Sequence, residues 1–357
     1  MVEKNPFCIS FGKKPFEYID RILERQRIID TFELEPITDQ LFLITGIRGS
    51  GKTVLMNTVA EELSKNGNWI ILRESASSNL LEMVYSDLYD KLNFKKQKIK
   101  KITLSLGAAN LEMSSSLPKE NIITKIDEQL IKAEKANKKI LILIDEVVNT
   151  DQMKKFAHMF QIEIARNRQI FFLGTGLYEN LLDLSDEKDL TFLHRSPKIV
   201  LSPLNLTAIA RSYATIFSLD KKEAKEMALL TKGYSFAFQA LGYICWNSNY
   251  YLKSRERHKD FLSAEILSEY DALLADASYS KIWSECSQKD KEILLAMMNI
   301  DTRKVAEIRK SCNMSINYFS VYRSRLIKKG ILFSPTRGEV EFALPRFRNF
   351  LDNQFLE

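Results

Sequence analysis

Short apolar runs alternate with helical patterns over the first two hundred residues of the chain. Five runs have the length of buried strands, and they are Leu41–Thr45, Trp69–Leu72, Ile140–Ile144, Ile170–Leu173 and Ile199–Leu201. Helical spacing of apolar positions occurs before or between these runs, at Asp20–Phe32, Lys52–Leu63, Ser78–Leu92, Glu120–Ala136 and Gln152–Arg166. Apolar strands that alternate with helices are typical of a parallel sheet covered on both faces. The pattern therefore predicts an α/β domain over residues 1–203.

The strand signals stop after Pro203 and the pattern becomes helical. Residues 204–280 are expected to form a helical domain, with helices at Asn205–Phe217, Lys221–Leu230 and Ser235–Trp246. A third domain is expected at residues 281–357, with helices Gln288–Met297, Lys304–Ser311 and Ser315–Lys329 and hairpin strands Ile331–Phe333 and Val340–Ala343. Three helices followed by a β-hairpin are the order of a winged helix-turn-helix.

Two polar stretches fit neither pattern. Residues 95–116 begin with a lysine cluster, Lys95, Lys96, Lys98, Lys100 and Lys101. We interpret them as an inserted surface element of the first domain. The second stretch, Lys253–Lys259, is expected to connect two helices of the helical domain.

Length and composition favour a multidomain protein of the cytoplasm. At roughly 150 residues per domain, 357 residues suggest two or three domains. The first twenty residues lack the apolar core of a secretory signal. No apolar run approaches the roughly 18 residues that span a bilayer, so no membrane partner is expected. The four cysteines are scattered without a CxxC pair, which favours reduced thiols and no zinc site.

The positive charge is concentrated at the C-terminal end. The net charge is +6, and residues 302–357 carry eleven Lys or Arg against five Asp or Glu, while the rest of the chain carries 41 of each. This asymmetry indicates an anionic partner for the third domain. The alternative is a solvated basic face without a partner.

The most specific motif follows the first predicted strand. Residues 46–53 read Gly-Ile-Arg-Gly-Ser-Gly-Lys-Thr and match GxxxxGK[ST] at every position. The glycines allow a tight turn whose N–H groups face phosphate oxygens, and the positive end of the next helix favours the same charge. Lys52 can reach the β- and γ-phosphates, and the Thr53 hydroxyl can ligate Mg²⁺. The expected ATP- or ADP-binding residues are Gly46, Ile47, Arg48, Gly49, Ser50, Gly51, Lys52, Thr53 and Val54.

An acidic pair ends the third predicted strand. Five apolar residues precede Asp145 and Glu146, which places the pair at the edge of the sheet where ligands bind in open α/β folds. Asp145 can hold Mg²⁺ through water, and Glu146 can orient or deprotonate the attacking water. An acidic pair that only caps a strand is the alternative.

Two further residues are candidates for phosphoryl-transfer chemistry. Thr175 follows the fourth strand, and its hydroxyl can position the water or contact the γ-phosphate; the alternative is a simple turn residue. Arg195 precedes the fifth strand, where an arginine supplied by a neighbouring subunit can stabilise transition-state charge. A surface or salt-bridged arginine is the alternative. His158 and His194 have no partners at the spacing of metal ligands or a catalytic triad, so they are assigned no catalytic or ligand role.

The helix predicted at Ser315–Lys329 has two different faces. A helical wheel places Ile316, Phe319, Leu326 and Ile327 on the core side, with Arg323 among them. It places Asn317, Ser324, Arg325 and Lys328 on the opposite side, which is the pattern of a DNA-recognition helix. Arg337 in the hairpin turn is placed to contact phosphate or enter a minor groove. The alternative is a winged helix that binds a protein or braces the fold.

With these motifs in this order, the sequence resembles the AAA+ P-loop ATPases. It looks closest to the Orc1/Cdc6-like branch and to related ATP-binding proteins of Bacteria and Archaea. The resemblance covers nearly the whole chain. It implies a Walker A loop at Gly46–Thr53, a Walker B strand at Ile140–Glu146, sensor 1 at Thr175 and an arginine finger at Arg195. It also implies a helical lid after Pro203, a C-terminal winged helix and an adenine pocket formed by Tyr18, Ile19 and Arg21.

The predicted lid departs from the family pattern. Gly233–Gln239 looks like a lid motif that usually reads Gly-Tyr-Pro, but Ser235 stands in place of the proline. No arginine follows Gly233 where a sensor-2 arginine would contact nucleotide, and Lys232 is the only nearby cation.

Taken together, the sequence predicts an α/β P-loop ATPase with a parallel sheet, a helical lid and a C-terminal winged helix. It is expected to bind ATP and Mg²⁺, to hydrolyse ATP slowly and to couple this to duplex DNA. The runner-up is a STAND-type signalling ATPase whose C-terminal domain binds a protein, and a chaperone-like regulator is more distant. A homo-oligomer is expected if Arg195 acts on a neighbouring subunit.

Overall fold

The computed structural model describes residues 4–10, 14–104, 121–251, 262–300 and 302–354. The chain divides into two compact units. The sheet unit consists of Arg21–Thr45 and Leu55–Val200, and the helical unit consists of Met1–Asp20, Gly46–Val54 and Leu201–Glu357. The predicted division into three domains at residues 203 and 280 stays a prediction.

The sheet unit contains five parallel strands and the helices that flank them in sequence. In chain order its elements are α1 (Ile22–Glu33), β1 (Leu41–Thr45), α2 (Lys52–Lys65, which begins in the helical unit), β2 (Trp69–Ser75), α3 (Leu80–Leu104), α4 (Ile122–Lys135), β3 (Lys139–Asp145), α5 (Asp151–Ala165), β4 (Ile170–Gly176), α6 (Tyr178–Ser185), α7 (Phe192–Arg195) and β5 (Lys198–Val200). The strand order across the sheet is β2-β3-β4-β1-β5. The parallel sheet that the apolar runs predict is therefore present.

Apolar side chains on one face of this sheet form the core with α3, α4 and α5. Strand β3 is buried from Ile140 to Ile144, and β4 is buried along its whole length. The alternate β3 residues Ile140, Ile142 and Ile144 belong to the same cluster as Phe156 and Phe160 of α5. Burial on both faces explains why these strands read as continuous apolar runs.

Helix α3 is longer than the sequence pattern predicts. The expected end was Leu92, but the helix continues to Leu104, so the first part of the predicted insert is helical. Residues 93–104 contain many lysines and no Gly or Pro, and lysine is a good helix former, so the loss of apolar periodicity does not end the helix. Residues 105–116 of the insert and the stretch Lys253–Lys259 lie outside the described residues.

The helical unit contains nine further helices and a short hairpin in the described ranges. Its elements are α8 (Leu206–Phe217), α9 (Lys221–Leu230), α10 (Ser235–Tyr251), α11 (Ala264–Leu274), α12 (Ser280–Ser284), α13 (Gln288–Asn299), α14 (Val305–Ser311), α15 (Ile316–Lys328), β6 (Leu332–Phe333), β7 (Glu341–Phe342) and α16 (Phe347–Gln354). A π-helical turn, Ala275–Tyr279, joins α11 to α12. Strands β6 and β7 pair antiparallel. These elements follow the predicted order, and their assignment as a lid and a winged helix stays a prediction.

The N-terminal segment packs within the helical unit, although the sequence pattern placed it in the α/β domain. Phe7 is buried against Phe238, with ring centroids 5.5 Å apart. The Cys8 N–H donates to Gln239 Oε1 at 2.9 Å, and Gln239 Nε2 donates to the Glu17 carbonyl at 2.8 Å. Contacts between residues more than 220 positions apart leave no local pattern in the sequence, which explains the difference.

No helix in the described part of the chain is long and apolar enough to cross a membrane.

Candidate functional site

The glycine loop at residues 46–53 follows β1 directly and leads into α2. Gly49 and Gly51 have φ values of +75° and +93°, which side chains disfavour; the motif requires glycine at position 51, and this chain has glycine at the variable position 49 as well. The Ser50 N–H donates to the Ile47 carbonyl at 3.1 Å and closes a turn. The Lys52 ammonium donates to the carbonyls of Gly46 and Ile47 at 2.9 and 3.0 Å. The Lys52 ammonium therefore lies against the first turn of the loop.

Three consecutive carbonyls of this loop accept hydrogen bonds from three consecutive residues of the predicted lid. Tyr234 Oη donates to the Arg48 carbonyl at 2.6 Å. The Phe236 N–H donates to the Gly49 carbonyl at 3.0 Å, and Ser235 Oγ donates to the Ser50 carbonyl at 2.8 Å. The sequence of this segment resembles a lid motif, but nothing in it predicts these bonds.

The loop also contacts the C-terminal part of the helical unit. The Arg48 guanidinium lies 3.5 Å from the Glu285 carboxylate, between α12 and α13. A Cβ built at Gly330 would lie 3.2 Å from Ile47 Cβ, so the two residues are in close contact. The variable positions of the GxxxxGK[ST] motif are therefore the ones that face the C-terminal elements.

Asp145, Glu146 and Thr175 form a second cluster, in the sheet unit. Strands β3 and β4 are neighbours, and Ile144 pairs with Gly174, so the ends of both strands lie side by side. The Thr175 hydroxyl is buried and donates to Asp145 Oδ1. The Glu146 N–H donates to Asp145 Oδ1 at 3.1 Å and to Thr175 Oγ1 at 3.3 Å. These bonds fix the orientation of the Asp145 carboxylate.

Glu146 has an unusual backbone conformation. Its φ is +54°, the left-handed region, which costs energy for a residue with a side chain. The Val147 N–H donates to the Thr175 carbonyl at 2.7 Å, and this bond and those of the Glu146 N–H determine the conformation. The Glu146 side chain is exposed, whereas Thr175 is fully buried. A solvent-facing carboxylate can act on water, while the Thr175 hydroxyl acts on Asp145.

A buried carboxylate lies on the neighbouring strand β2. Glu74 is 7% exposed, and the residue after it, Ser75, pairs with Asp145 in the sheet. Burial, and secondarily the negative charge of Asp87, raises the pKa of Glu74 to about 7. Neither oxygen of this carboxylate has a hydrogen-bond partner in the structure, which fits a group that is protonated for much of the time at neutral pH. Glu74 was not predicted from the sequence, because a single acid in a strand gives no motif.

The remaining candidates of the nucleotide site lie in varied surroundings. Arg195 ends α7 with an exposed side chain, and no described residue pairs with it. Its neighbour His194 contacts Asp186 at 3.0 Å. Ile19 packs against the core of the helical unit, and Tyr18 lies beneath the Lys14 ammonium at 5.0 Å. Arg21 is largely buried, and burial lowers its pKa.

Lys232, the cation nearest to the predicted lid motif, points elsewhere. Its ammonium donates to the Phe342 carbonyl at 2.9 Å, in strand β7. It therefore contacts the hairpin and not the glycine loop.

The wheel placement of two residues on α15 needs correction. Ile316, expected in the core, is 71% exposed because it is the first residue of the helix, beyond the packed face. Arg325, expected on the DNA face, lies 2.7 Å from the fully buried Asp290 and donates to Ser287 Oγ at 2.6 Å. A wheel records angles but not the position of a buried carboxylate on another helix, here α13.

The other residues named on the two faces of α15 have the burial that the wheel predicts. Phe319 and Leu326 are buried, and Arg323 is half-buried. Asn317, Ser324 and Lys328 are exposed on α15, and Arg337 is exposed in the hairpin turn.

Comparison with known families identifies two parts of the sequence. Residues 18–165 match a family described as "ATPase domain predominantly from Archaea", which includes the glycine loop and the acidic pair. Residues 276–351 match a domain of unknown function, DUF8462. No curated protein matches the chain.

Solved structures share the fold over nearly the whole chain. A Walker-type ATPase of Pyrococcus abyssi superposes with a TM-score of 0.63 at 14% identity, with 94% of this chain and 96% of that one covered. The ORC2 protein of Aeropyrum pernix, in ADPNP–ADP complexes, superposes with a TM-score of 0.62 at 12% identity and coverage of 97% and 96%. Residues 18–165 are thus similar to an ATPase domain, and the chain shares its fold with the Walker-type ATPase of Pyrococcus abyssi and the ORC2 protein of Aeropyrum pernix.

Proposed function

We propose that this protein binds ATP with Mg²⁺ at residues 46–53, hydrolyses it, and uses the nucleotide to regulate duplex DNA binding by a C-terminal winged helix. The complete glycine loop and the oriented Asp145 carboxylate support the nucleotide part. The ORC2 protein of Aeropyrum pernix, which has the same fold, was solved in nucleotide complexes.

The glycine loop and the Asp145 cluster both contain oxygen ligands of the type that Mg²⁺ binds. This ion prefers hard oxygen ligands, and in nucleotide sites it takes one or two from the protein and the rest from water and phosphates. Thr53 and Asp145 offer a hydroxyl and a carboxylate, and two hydrogen bonds fix the carboxylate. The ion, when bound, would neutralise charge on the phosphates. Glu146 would orient the attacking water and accept its proton, and Lys52 would stabilise negative charge on the β- and γ-phosphates.

A chain of contacts from the glycine loop to α15 carries the proposal of nucleotide-regulated binding. Arg48 of the loop contacts Glu285, and the Lys329 ammonium donates to the Glu285 carbonyl at 3.4 Å. Lys329 also contacts Asp290 at 3.5 Å, and Asp290 pairs with Arg325 on α15. A change in the position of the Arg48 guanidinium when phosphates bind, with the backbone of the loop unmoved, would thus alter the surroundings of α15.

The exposed side of α15 supports DNA as the partner. Asn317, Ser324 and Lys328 offer hydrogen-bond donors and a cation, and Arg337 lies in the wing turn. The whole net charge of the protein lies in residues 302–357. A polar helix face and a local positive charge are the two requirements for major-groove recognition beside a phosphate backbone.

The DNA proposal predicts a loss of salt dependence when either cation is removed. Each of Lys328→Ala and Arg337→Ala should weaken binding to all duplex sequences and lower the magnitude of the log–log salt slope by about one, since each removes one phosphate contact. Fluorescence anisotropy with the full chain, at several salt concentrations and with and without ATP, measures both quantities. Lys225→Ala on α9 is the matched control, because it removes an exposed lysine from another helix.

A protein partner is the second candidate, and a specific observation favours it. Ile316 and Val321 of α15 are 71% and 66% exposed, and Tyr318 beside them is 45% exposed. Apolar side chains on a helix surface are also the anchors of helix-mediated protein contacts. If the full chain binds DNA no better at low salt than a neutral protein of similar size, the DNA proposal is wrong and the protein partner takes its place.

Arg195 provides a prediction about assembly. If it acts on the nucleotide of a neighbouring subunit, ATPase activity per subunit should rise with protein concentration, and Arg195→Ala should remove the rise. ATP affinity should stay nearly unchanged, because the arginine acts on transition-state charge. Phosphate release measured over a hundredfold range of protein concentration tests this, with Arg211→Ala on α8 as the control. A rate that is independent of concentration and equal in Arg195→Ala would make Arg195 a surface residue.

A further inference from the structure

The glycine loop is bonded to the predicted lid through its backbone. The bonds from Tyr234, Phe236 and Ser235 reach the carbonyls of residues 48, 49 and 50 in turn. We call these three donors the loop clamp. Because three neighbouring residues donate to three consecutive carbonyls, the peptide groups of residues 48–50 have little freedom to rotate.

Because the peptide bond is planar, the clamp also fixes N–H groups of the glycine loop. In a planar trans peptide, the carbonyl of one residue and the N–H of the next point in opposite directions. Bonds that fix the carbonyls of residues 48–50 therefore also fix the N–H groups of residues 49–51, on the side away from the clamp. The Ser50 N–H among them donates to the Ile47 carbonyl at 3.1 Å, so the N–H groups of Gly49 and Gly51 are the two that can face phosphate. N–H groups of the glycine loop are the ones that bind phosphate oxygens in this motif.

Tyr234 is itself held rigidly. Its side chain is buried, and its hydroxyl contacts Ser278 Oγ at 2.7 Å as well as the Arg48 carbonyl. Ser278 is 1% exposed and belongs to the π-helical turn Ala275–Tyr279, a type of turn that is frequent at functional sites. Burial raises the pKa of Tyr234 far above its usual value, so the hydroxyl keeps its proton and stays a donor at physiological pH.

The approach of the two segments is close enough to require glycine. A Cβ at Gly49 would overlap the Tyr234 hydroxyl and would lie 2.9 Å from Phe236 Cβ. Glycine at position 49, a variable position of the motif, is thus needed for contact with the clamp as well as for its positive φ of +75°. Ser235 stands where the resembling motif carries proline, and its hydroxyl makes a bond that proline cannot make.

We propose that Tyr234, Ser235 and Phe236 are positioning residues for nucleotide binding, which hold the loop with its N–H groups directed toward the phosphates before ATP arrives. The proposal rests on the assignment of residues 46–53 as the nucleotide site. A preorganised loop loses less conformational entropy on binding, so the clamp raises affinity without contacting ATP.

Two single-atom deletions test the clamp. Tyr234→Phe and Ser235→Ala each remove one hydroxyl, and each should weaken ATP and ADP binding about fivefold, the effect of one hydrogen bond of ordinary strength. The double variant should weaken binding about 25-fold, because the two effects multiply. The ATPase rate at saturating ATP should change less than twofold, roughly, because the clamp acts on binding and not on the chemical step. Titration with a fluorescent ATP analogue gives the affinities.

Tyr213→Phe is the matched control. Tyr213 is another fully buried tyrosine of the helical unit, and its hydroxyl donates to the Phe238 carbonyl at 2.8 Å, not to the glycine loop. All three single variants should lower the unfolding temperature of the nucleotide-free protein, but only the two clamp variants should lower ATP affinity. If Tyr234→Phe does not fold, Ser235→Ala decides the test.

The other outcomes overturn one assignment or both. If the clamp variants bind ATP as tightly as the wild type while Lys52→Ala does not bind, the clamp is wrong and the nucleotide site stands. If Tyr213→Phe weakens binding as much as Tyr234→Phe, the loss is a general effect of destabilisation and the clamp is also wrong. If the wild type itself does not bind ATP, the nucleotide site is wrong and the clamp with it.

Discussion

Lys52→Ala should abolish ATP and ADP binding while the protein stays folded. The ammonium is the one charge of the glycine loop that the motif directs at the β- and γ-phosphates, and the loop holds it at 2.9 and 3.0 Å from the carbonyls of Gly46 and Ile47. A fixed cation that contacts a multiply charged phosphate in a partly desolvated site makes a strong charge-assisted bond. We expect affinity to fall by at least about a hundredfold, below what titration at micromolar protein detects.

The control for this prediction lies on the same helix. Lys65 is exposed in the last turn of α2, so Lys65→Ala removes the same charge from the same element without touching the loop. It should bind ATP as the wild type does. Isothermal titration measures both affinities, and thermal unfolding confirms that both variants fold. Wild-type affinity in Lys52→Ala would remove residues 46–53 from the nucleotide site.

The nucleotide motifs and the sheet were predictable because both depend on local sequence. The apolar run at β3 ends at Asp145 in the sequence and in the structure, since a buried strand needs consecutive apolar residues and a polar residue ends it. The parallel order of the strands then follows from the helices between them. Asp145 and Thr175 therefore lie at the same edge, as the sequence implies.

The contacts around the glycine loop could not be predicted in the same way. Tyr234 lies 186 positions from Arg48, and nothing in either segment specifies the other. The N-terminal segment joins the helical unit for the same reason, through Gln239. Long-range hydrogen bonds depend on how elements pack, and periodicity carries no information about that.

Helix α15 shows where a wheel is sufficient and where it is not. The wheel placed Phe319 and Leu326 in the core correctly, because their neighbours along the helix define that face. It failed for Arg325, because Asp290 on α13 is fully buried and requires a cationic partner to offset its desolvation. The Arg325 and Lys329 side chains also lower the pKa of Asp290, against the opposing effect of burial. Arg325 is thus held by the buried Asp290 while a third of its side chain stays exposed, and the DNA proposal depends on its neighbours.

Glu146→Gln should stop ATP hydrolysis and leave ATP binding intact. The Glu146 backbone N–H is bonded to Asp145 and Thr175, so the exposed side chain leaves the sheet from a fixed position at the end of β3. Glutamine keeps the size and the backbone preference of glutamate but cannot accept a proton from water. The loss of a general base costs on the order of 10²–10⁴ in rate, while the phosphates are bound by the loop and not by this carboxylate. We therefore expect the rate constant to fall by that factor and the dissociation constant of ATP to change less than about twofold.

The measurement must separate the carboxylate from a general effect of lost charge. Glu128→Gln on α4 is the control, since it makes the same substitution at an exposed position of the sheet unit and should keep the wild-type rate. Phosphate release under saturating ATP gives the rate, and titration with an ATP analogue gives the affinity. The left-handed φ of +54° at Glu146 is kept by the bonds of its backbone N–H, which the substitution does not change, so an equal unfolding temperature is expected. Equal ATPase rates in Glu146→Gln and the wild type would mean that another group activates the water, and the assignment of Glu146 would be wrong.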